Sequence, residues 1–542
     1  MNKKQTTVIM LLSITACILG FLVSGRYWFR LDLTKNKAYT ISQVSRNLRM
    51  ELQNPVNITY YLSDKLKTAV PVPGEIEDML REYAAYSKGK ITVSVRDPVN
   101  TGLSGVIEEY GLQSKQIQTV AQDQASFITV FSGIVIEYLD KYEVLPWILS
   151  TDTLEYDLTS RIRSMVTGIE RQVGIIVGDG YMQWREHYSL LNTMLEDSGY
   201  TVRLLIPGEE IPDNLPALFV LGGVEDIDHW GLYRIDRYIQ LGGKVLFAED
   251  SIFVDTFYNS LETMKKLDQG MLEMIAAYGV IIRPELALDR NALEMIYQTR
   301  SPSGGAQYRI VRYPLWISVL GENGNPKHPI SSNFFGVDLF WASPLELTPV
   351  PNVESTVLFT TSKEGWVMSK DFNANPEIPY MLELEKNETT GVKILGVSLT
   401  GAFPSFFRGS PKPKREGSEE ELPDMPQQAS PSRIIVVGNT NFASNMINVT
   451  QANNNLDFLM RAADWLVNDD DIISIRSKQP QTSRLDKISD IDKRIAAMKF
   501  AQILNVGIIP LIVIAAGLIL ASQRRKKSKY AVKTVKEVSG DL

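Results

Sequence analysis

The chain has 542 residues, one cysteine, three histidines and a formal net charge of −7, and 44% of its residues are hydrophobic. That length supports three or four domains with substantial cores. The composition excludes a disulfide scaffold, a zinc site of two or more cysteines and a wholly disordered chain.

In chain order the first feature is an apolar block. Between Lys4 and Arg26 lie 21 uncharged residues, and between Lys499 and Arg524 lie 24 more. A helix of about 20 apolar residues crosses a bilayer core of roughly 30 Å, so 5–25 and 500–523 read as transmembrane helices. Lys3 and Lys4 precede the first; Arg524, Arg525, Lys526, Lys527 and Lys529 follow the second. The positive-inside rule then places both termini in the cytoplasm and the bulk of the chain on the other side. Residues 14–17 (ITAC) resemble a lipobox, which would make Cys17 a lipidated residue, yet 18–23 stays apolar where a lipoprotein turns polar. A lipidated and a plain membrane-buried Cys17 both remain open. The two N-terminal lysines carry +2 and the basic tail 524–542 carries +5, which leaves −14 on the ectodomain. Such a charge disfavours nucleic acid and anionic lipid as its partners.

The segment 26–168 reads as an α+β domain. Residues 56–62 (VNITYYL) alternate at period 2, and Ile76, Met79, Leu80 and Tyr83 share a helical face that Gly89 ends. Residues 133–139 and 142–147 flank Asp140-Lys141 as a hairpin, and a helix over 154–167 leads onward. From 169 to 300 the rhythm becomes α/β: apolar strands at 173–177, 202–205, 217–221 and 245–248 alternate with helices. That alternation predicts an open, mostly parallel sheet covered on both faces. The region 301–410 is rich in short strands and reads as a β-rich insertion. Residues 411–431 carry five prolines, an EEE run and no aromatic residue, the composition of a disordered loop. A strand at 434–437 and a helix over 456–467 return within 432–478 to the α/β domain, and 479–499 reads as a charged juxtamembrane helix.

The chemical constellations are sparse. No Gly-x4-Gly-Lys-Ser/Thr sequence is present, so the chain is not itself a P-loop ATPase. Gly178-Asp179-Gly180 sits at a strand end but lacks the third glycine of a dinucleotide fingerprint, and a plain turn is the simpler reading. The sole cysteine lies in the first anchor, which excludes a cysteine nucleophile in the ectodomain, and the Gly-x-Ser-x-Gly elbow is missing. Glu249 and Asp250 at a strand end form a carboxylate pair of the kind glycosidases use, although helix capping or a solvated loop explains them as well. The acidic runs 419–421 and 469–471 lack the spaced oxygens and turn glycine of a calcium loop, and His187, His229 and His328 are scattered. No cofactor, metal or catalytic residue is assigned.

Several phrases in order resemble the gliding-motility-type (GldG-like) family of ABC-transporter auxiliary, substrate-binding-like proteins. They are 32–42 (DLTKNKAYTIS), 55–62 (PVNITYYL), 81–86 (REYAAY) with 95–98 (VRDP), and 155–160 (EYDLTS). They continue with 328–330 (HPI), 401–407 (GAFPSFF), 435–442 (IVVGNTNF), 463–466 (ADWL) and 471–475 (DIISI). The resemblance implies a bacterial inner-membrane protein with a periplasmic ectodomain that works with a separate ABC permease and P-loop ATPase. It also implies that the central α/β unit is similar to intraflagellar-transport and class I glutamine-amidotransferase-like domains, here without the amidotransferase cysteine. The expected function is a non-catalytic auxiliary subunit of an ABC transport complex. Fold geometry puts its ligand crevice at the carboxyl edge of the sheet, near Gly178, Asp179, Gly222, Gly223, Glu249 and Asp250. A membrane-tethered glycan hydrolase using Glu249 or Asp250, and a structural scaffold that binds protein only, are the alternatives.

Overall fold

The computed structural model describes residues 40–467 and Ile475, apart from 99–103, 122–123, 152, 169–170, 257–260, 301–304, 333, 379–381 and 416–419. The expected transmembrane helices, juxtamembrane helix and basic tail lie outside the described residues. Among the described residues no helix is long and apolar enough to cross a membrane.

The N-terminal α+β part is built on one mixed sheet. Strand β1 (Val56–Leu62) runs parallel to β2 (Ile91–Arg96) and antiparallel to β4 (Gln124–Tyr138), which also pairs with β3 (Ser114–Ala121) and β5 (Lys141–Leu145). Sequence alternation suggests a half-buried β1, yet only Asn57 is exposed in it. Its central place explains this: Ile58 lies between Val93 and Ile136. Helices α1 (Gln43–Glu51), α2 (Val72–Tyr86) and α3 (Leu154–Thr167) contribute Leu48, Ile76, Leu80, Leu158 and Ile162 to the same core. Buried Glu155 on α3 accepts from Ser42 N and Ser45 Oγ, both at 2.6 Å, and so ties down the start of α1. Gly168, at φ +71°, ends α3 in the left-handed conformation that glycine adopts without strain.

The second part is a nine-stranded sheet. Strands β6 (Gln172–Val177), β7 (Thr201–Leu205), β8 (Ala217–Leu221), β9 (Val245–Ala248) and β21 (Ser432–Val437) lie in the order β7-β6-β8-β9-β21, all parallel. β8 and β9 are buried at every residue, which is why they read as unbroken apolar runs. Phe219, Leu221, Leu246 and Ile435 pack on one face with α4 (Ser189–Asp197) and α7 (Asn453–Val467). Leu218, Val220, Phe247 and Val436 pack on the other with α5 (His229–Gln240) and α6 (Met271–Ala277). Asp228 starts α5 by accepting from Gly231 N at 3.0 Å, an N-cap.

Two expectations are corrected here. The sheet is parallel over only five of its nine strands: beyond β21 follow β20 (Ile394–Gly401), β17 (Leu345–Leu347) and β12 (Val280–Ile282), with β18 (Val353–Thr360) beside β20, all antiparallel. Much of the β-rich region is therefore a wing of the main sheet and not an insertion apart from it. Within the β-rich stretch two small sheets stand apart among the described residues, β13 (Leu286–Leu288) with β19 (Trp366–Met368), and β14 (Ala292–Arg300), β15 (Ala306–Leu320) and β16 (Gly336–Phe340). β10 (Ile252–Val254) and β11 (Thr263–Lys265) form a short hairpin.

The second correction concerns 411–431. Its described parts, 411–415 and 420–431, are irregular but strapped across α5. Leu422 is 2% exposed among the apolar residues of that helix, Tyr233 donates to Pro423 O, and Arg234 pairs with Glu420 at 2.5 Å. Prolines and charges need not mean disorder when one apolar anchor and several backbone acceptors find a partner. At the root of the strap, buried Asp236 accepts from Tyr278 Oη, Ser405 Oγ, Phe407 N and Gln240 Nε2 at 2.7–3.2 Å.

Candidate functional site

The parallel strands end side by side, and their next residues make the site. After β6 comes Gly178-Asp179, after β8 Gly222-Gly223, after β9 Glu249-Asp250, and after β21 Gly438-Asn439-Thr440. The glycines permit close approach. A Cβ on Gly178 would stand 2.2 Å from Gly222 O, and Gly222 and Gly223 take φ of +75° and +128°. The structure thus brings all six sequence-read crevice residues to one edge.

Their side chains face inward. Asp179, Glu249 and Asp250 are 2%, 0% and 3% exposed. Between two of them sits a residue the sequence reading missed, Lys266, whose Nζ lies 2.9 Å from Asp250 Oδ1 and 3.4 Å from Asp179 Oδ2. The outer carboxylate oxygens are also occupied: Asp179 Oδ1 accepts from Gly223 N and Asp250 Oδ2 from Thr440 N, both at 2.9 Å. Tyr181 Oη donates to Asp179 Oδ2 at 3.4 Å and packs edge-on against Phe253. Nothing in the Lys265-Lys266 doublet marks one lysine as buried; the position just after an edge hairpin decides it.

Electrostatics follows from burial. Desolvation alone would lower the Lys266 ammonium, but Asp250 and Asp179 together raise it well above its usual value. Burial pushes the Asp179 carboxyl up, against the pull of Lys266. One ammonium gains from two carboxylates more than either carboxylate gains from half an ammonium, so both groups rise. Burial, and then the charge on Asp179, hold the Glu249 carboxyl well above the ordinary range. Neither of its oxygens, nor the hydroxyl of the fully buried Tyr188 on the preceding layer, has a hydrogen-bond partner.

The histidines do not join this site. His187 Nδ1 accepts from Gln183 N, His328 Nε2 meets Ser398 Oγ at 3.1 Å, and His229 packs on Phe407. Among the described residues no group of three or more His, Cys, Asp or Glu is placed to hold a metal ion.

These features define an α/β protein whose strand-end crevice is closed by its own buried ion pairs. The chain belongs to the ABC-transporter auxiliary family: the family model described as "ABC-type uncharacterized transport system" matches residues 170–462. A second model, a domain of unknown function (DUF7088), matches 35–137. A protein of Borreliella burgdorferi is 26% identical over 533 residues, 97% of this chain and 99% of that one. Among solved structures, an IFT52 N-terminal domain aligns over 55% of this chain and 98% of its own at 10% identity and a TM-score of 0.32. A ThuA-like protein of Parabacteroides merdae covers 55% of this chain and 90% of its own at 12% identity and 0.28.

Proposed function

We propose that the protein is a membrane-anchored auxiliary subunit of an ABC transport system that acts by binding and has no catalytic step of its own. Its two anchors flank an extracytoplasmic ectodomain, and its partners are a multi-spanning permease and a separate P-loop ATPase. The observation that carries this reading is the family match across the α/β unit, 170–462. The orientation rests on the lysines and arginines at the two termini. The crevice supports a binding role over a hydrolytic one: Asp179 and Asp250 are both engaged by Lys266, and neither stands as a free acid or base beside Glu249.

Copurification of the full-length protein in mild detergent tests the reading. It should bring down a permease and a P-loop ATPase, removal of either anchor should weaken that association, and the isolated protein should show no ATPase or amidase activity. Hydrolase activity abolished by Glu249→Gln, with no transporter partner, would overturn it in favour of the glycan enzyme.

A further inference from the structure

The strand-end cluster already holds an ammonium, and that ammonium belongs to the chain. A primary ammonium has three N–H donors. Lys266 reaches two carboxylates, at 2.9 and 3.4 Å, while Glu249 offers both carboxyl oxygens to no partner from a side chain that is 0% exposed. Glu249 precedes Asp250 directly after β9, and it feels the charges of Asp179, Lys266 and Asp250, as Tyr188 feels those of Asp179, Glu249 and Lys266. Buried polar atoms without partners are few in native proteins, and each calls for an explanation. Three buried carboxyl groups therefore share one ammonium, and Lys266 reaches only two of them.

Lys266 is also loosely carried. It follows β11, which is joined to β10 by three residue pairs, and its neighbours Met264 and Leu267 are 56% and 70% exposed. Segments with so few buried contacts open at lower cost than a central sheet. Beside Asp179 stands the half-exposed Tyr181, its ring 5.6 Å from that of the partly buried Phe253, and aromatic faces attract cations.

We infer that the crevice is a binding site for the primary ammonium group of a small ligand, with Lys266 as a tethered occupant that the ligand displaces. The ligand's ammonium would meet Asp179 and Asp250 as Lys266 does and add Glu249 as the third acceptor, which the tethered lysine leaves unused. This rests on reading the α/β unit as the binding part of a transport subunit.

The test uses n-butylammonium, which copies the Lys266 side chain, with the full-length protein in detergent. Equilibrium dialysis should show saturable binding at one site, and deuterium uptake at 263–267 should rise when the site fills. Lys266→Met, which removes the tethered competitor, should bind at least tenfold more tightly. Glu249→Met, which leaves the ion pairs of Lys266 intact, should bind at least tenfold more weakly. n-Butanol, uncharged and of the same length, should not compete. Absent saturable binding, unchanged affinity in Glu249→Met, or unchanged uptake at 263–267 would each overturn the inference. If Lys266→Met does not fold, the wild type and Glu249→Met decide it. Loss of amine binding with permease and ATPase association intact sinks this inference alone and leaves the transport reading standing.

Discussion

Glu249→Gln changes one atom in the most buried carboxyl of the crevice, and its effect should depend on pH. Burial and the charge on Asp179 hold this carboxyl well above the value of 4.5 that it takes when exposed. Between those two values the unfolded chain has released a proton that the folded protein keeps. Stability then falls by about 1.4 kcal/mol for each pH unit, fully favourable below 4.5 and lost as the pH climbs toward the raised value. Glutamine keeps the shape and cannot ionise. The variant should match wild type within about 1 kcal/mol at pH 4.5 and exceed it by a margin that widens as the pH rises from there. Urea unfolding of the full-length protein in detergent, followed by tryptophan fluorescence from pH 4.5 to 8, reads the difference directly. A difference that stays flat with pH, or that reverses above pH 6, would refute a raised Glu249 carboxyl.

Other perturbations probe the fold around it. Lys266→Met leaves two buried aspartates without their ammonium and should cost about 3–5 kcal/mol at pH 7, less as the pH is lowered, measured by the same unfolding assay. Gly178→Ala places a methyl 2.2 Å from the Gly222 carbonyl oxygen, a backbone atom that cannot swing aside, and should lower stability by about 1–3 kcal/mol. Asp236→Ala strands the four donors at the root of the strap and should cost about 2–4 kcal/mol; limited proteolysis should then cut within 411–431 before any other described segment. A reporter fused after Leu542 should behave as cytoplasmic and one inserted in 411–431 as extracytoplasmic, and the opposite pattern would overturn the orientation.

Much of the site was legible because strand ends are local. An apolar run followed by Gly-Asp, Gly-Gly or Glu-Asp marks where a parallel strand stops, and five residues' worth of pattern suffices for each. The side chain that closes the crevice was not legible, because Lys266 belongs to a hairpin outside the sheet and its burial depends on partners 87 and 16 positions away. Tyr188, three residues before buried Leu191, is itself fully buried, and nothing in the sequence marks its hydroxyl as lacking a partner. The antiparallel wing was missed for a similar reason. A run such as Ile394–Gly401 shows a buried strand, but its neighbours, β18 on one side and β21 on the other, are fixed by pairing that no local pattern encodes. The strap was misread because composition weighs prolines and glutamates, whereas one leucine anchored beside Tyr233 determines where it lies.

The place of β21 has a consequence for how the molecule is made. It lies between β9 and β20, yet it is the last strand of the sheet to be synthesised, following β9 by more than 180 residues. Until Ser432 emerges, β9 and β20 each present a bare edge of buried, apolar backbone to solvent. Such edges are templates for pairing with other chains, and closing so long a loop delays their protection. A nascent or truncated chain ending before 432 is therefore the aggregation-prone species of this protein. One six-residue strand, Ser432–Val437, seals both edges when it arrives.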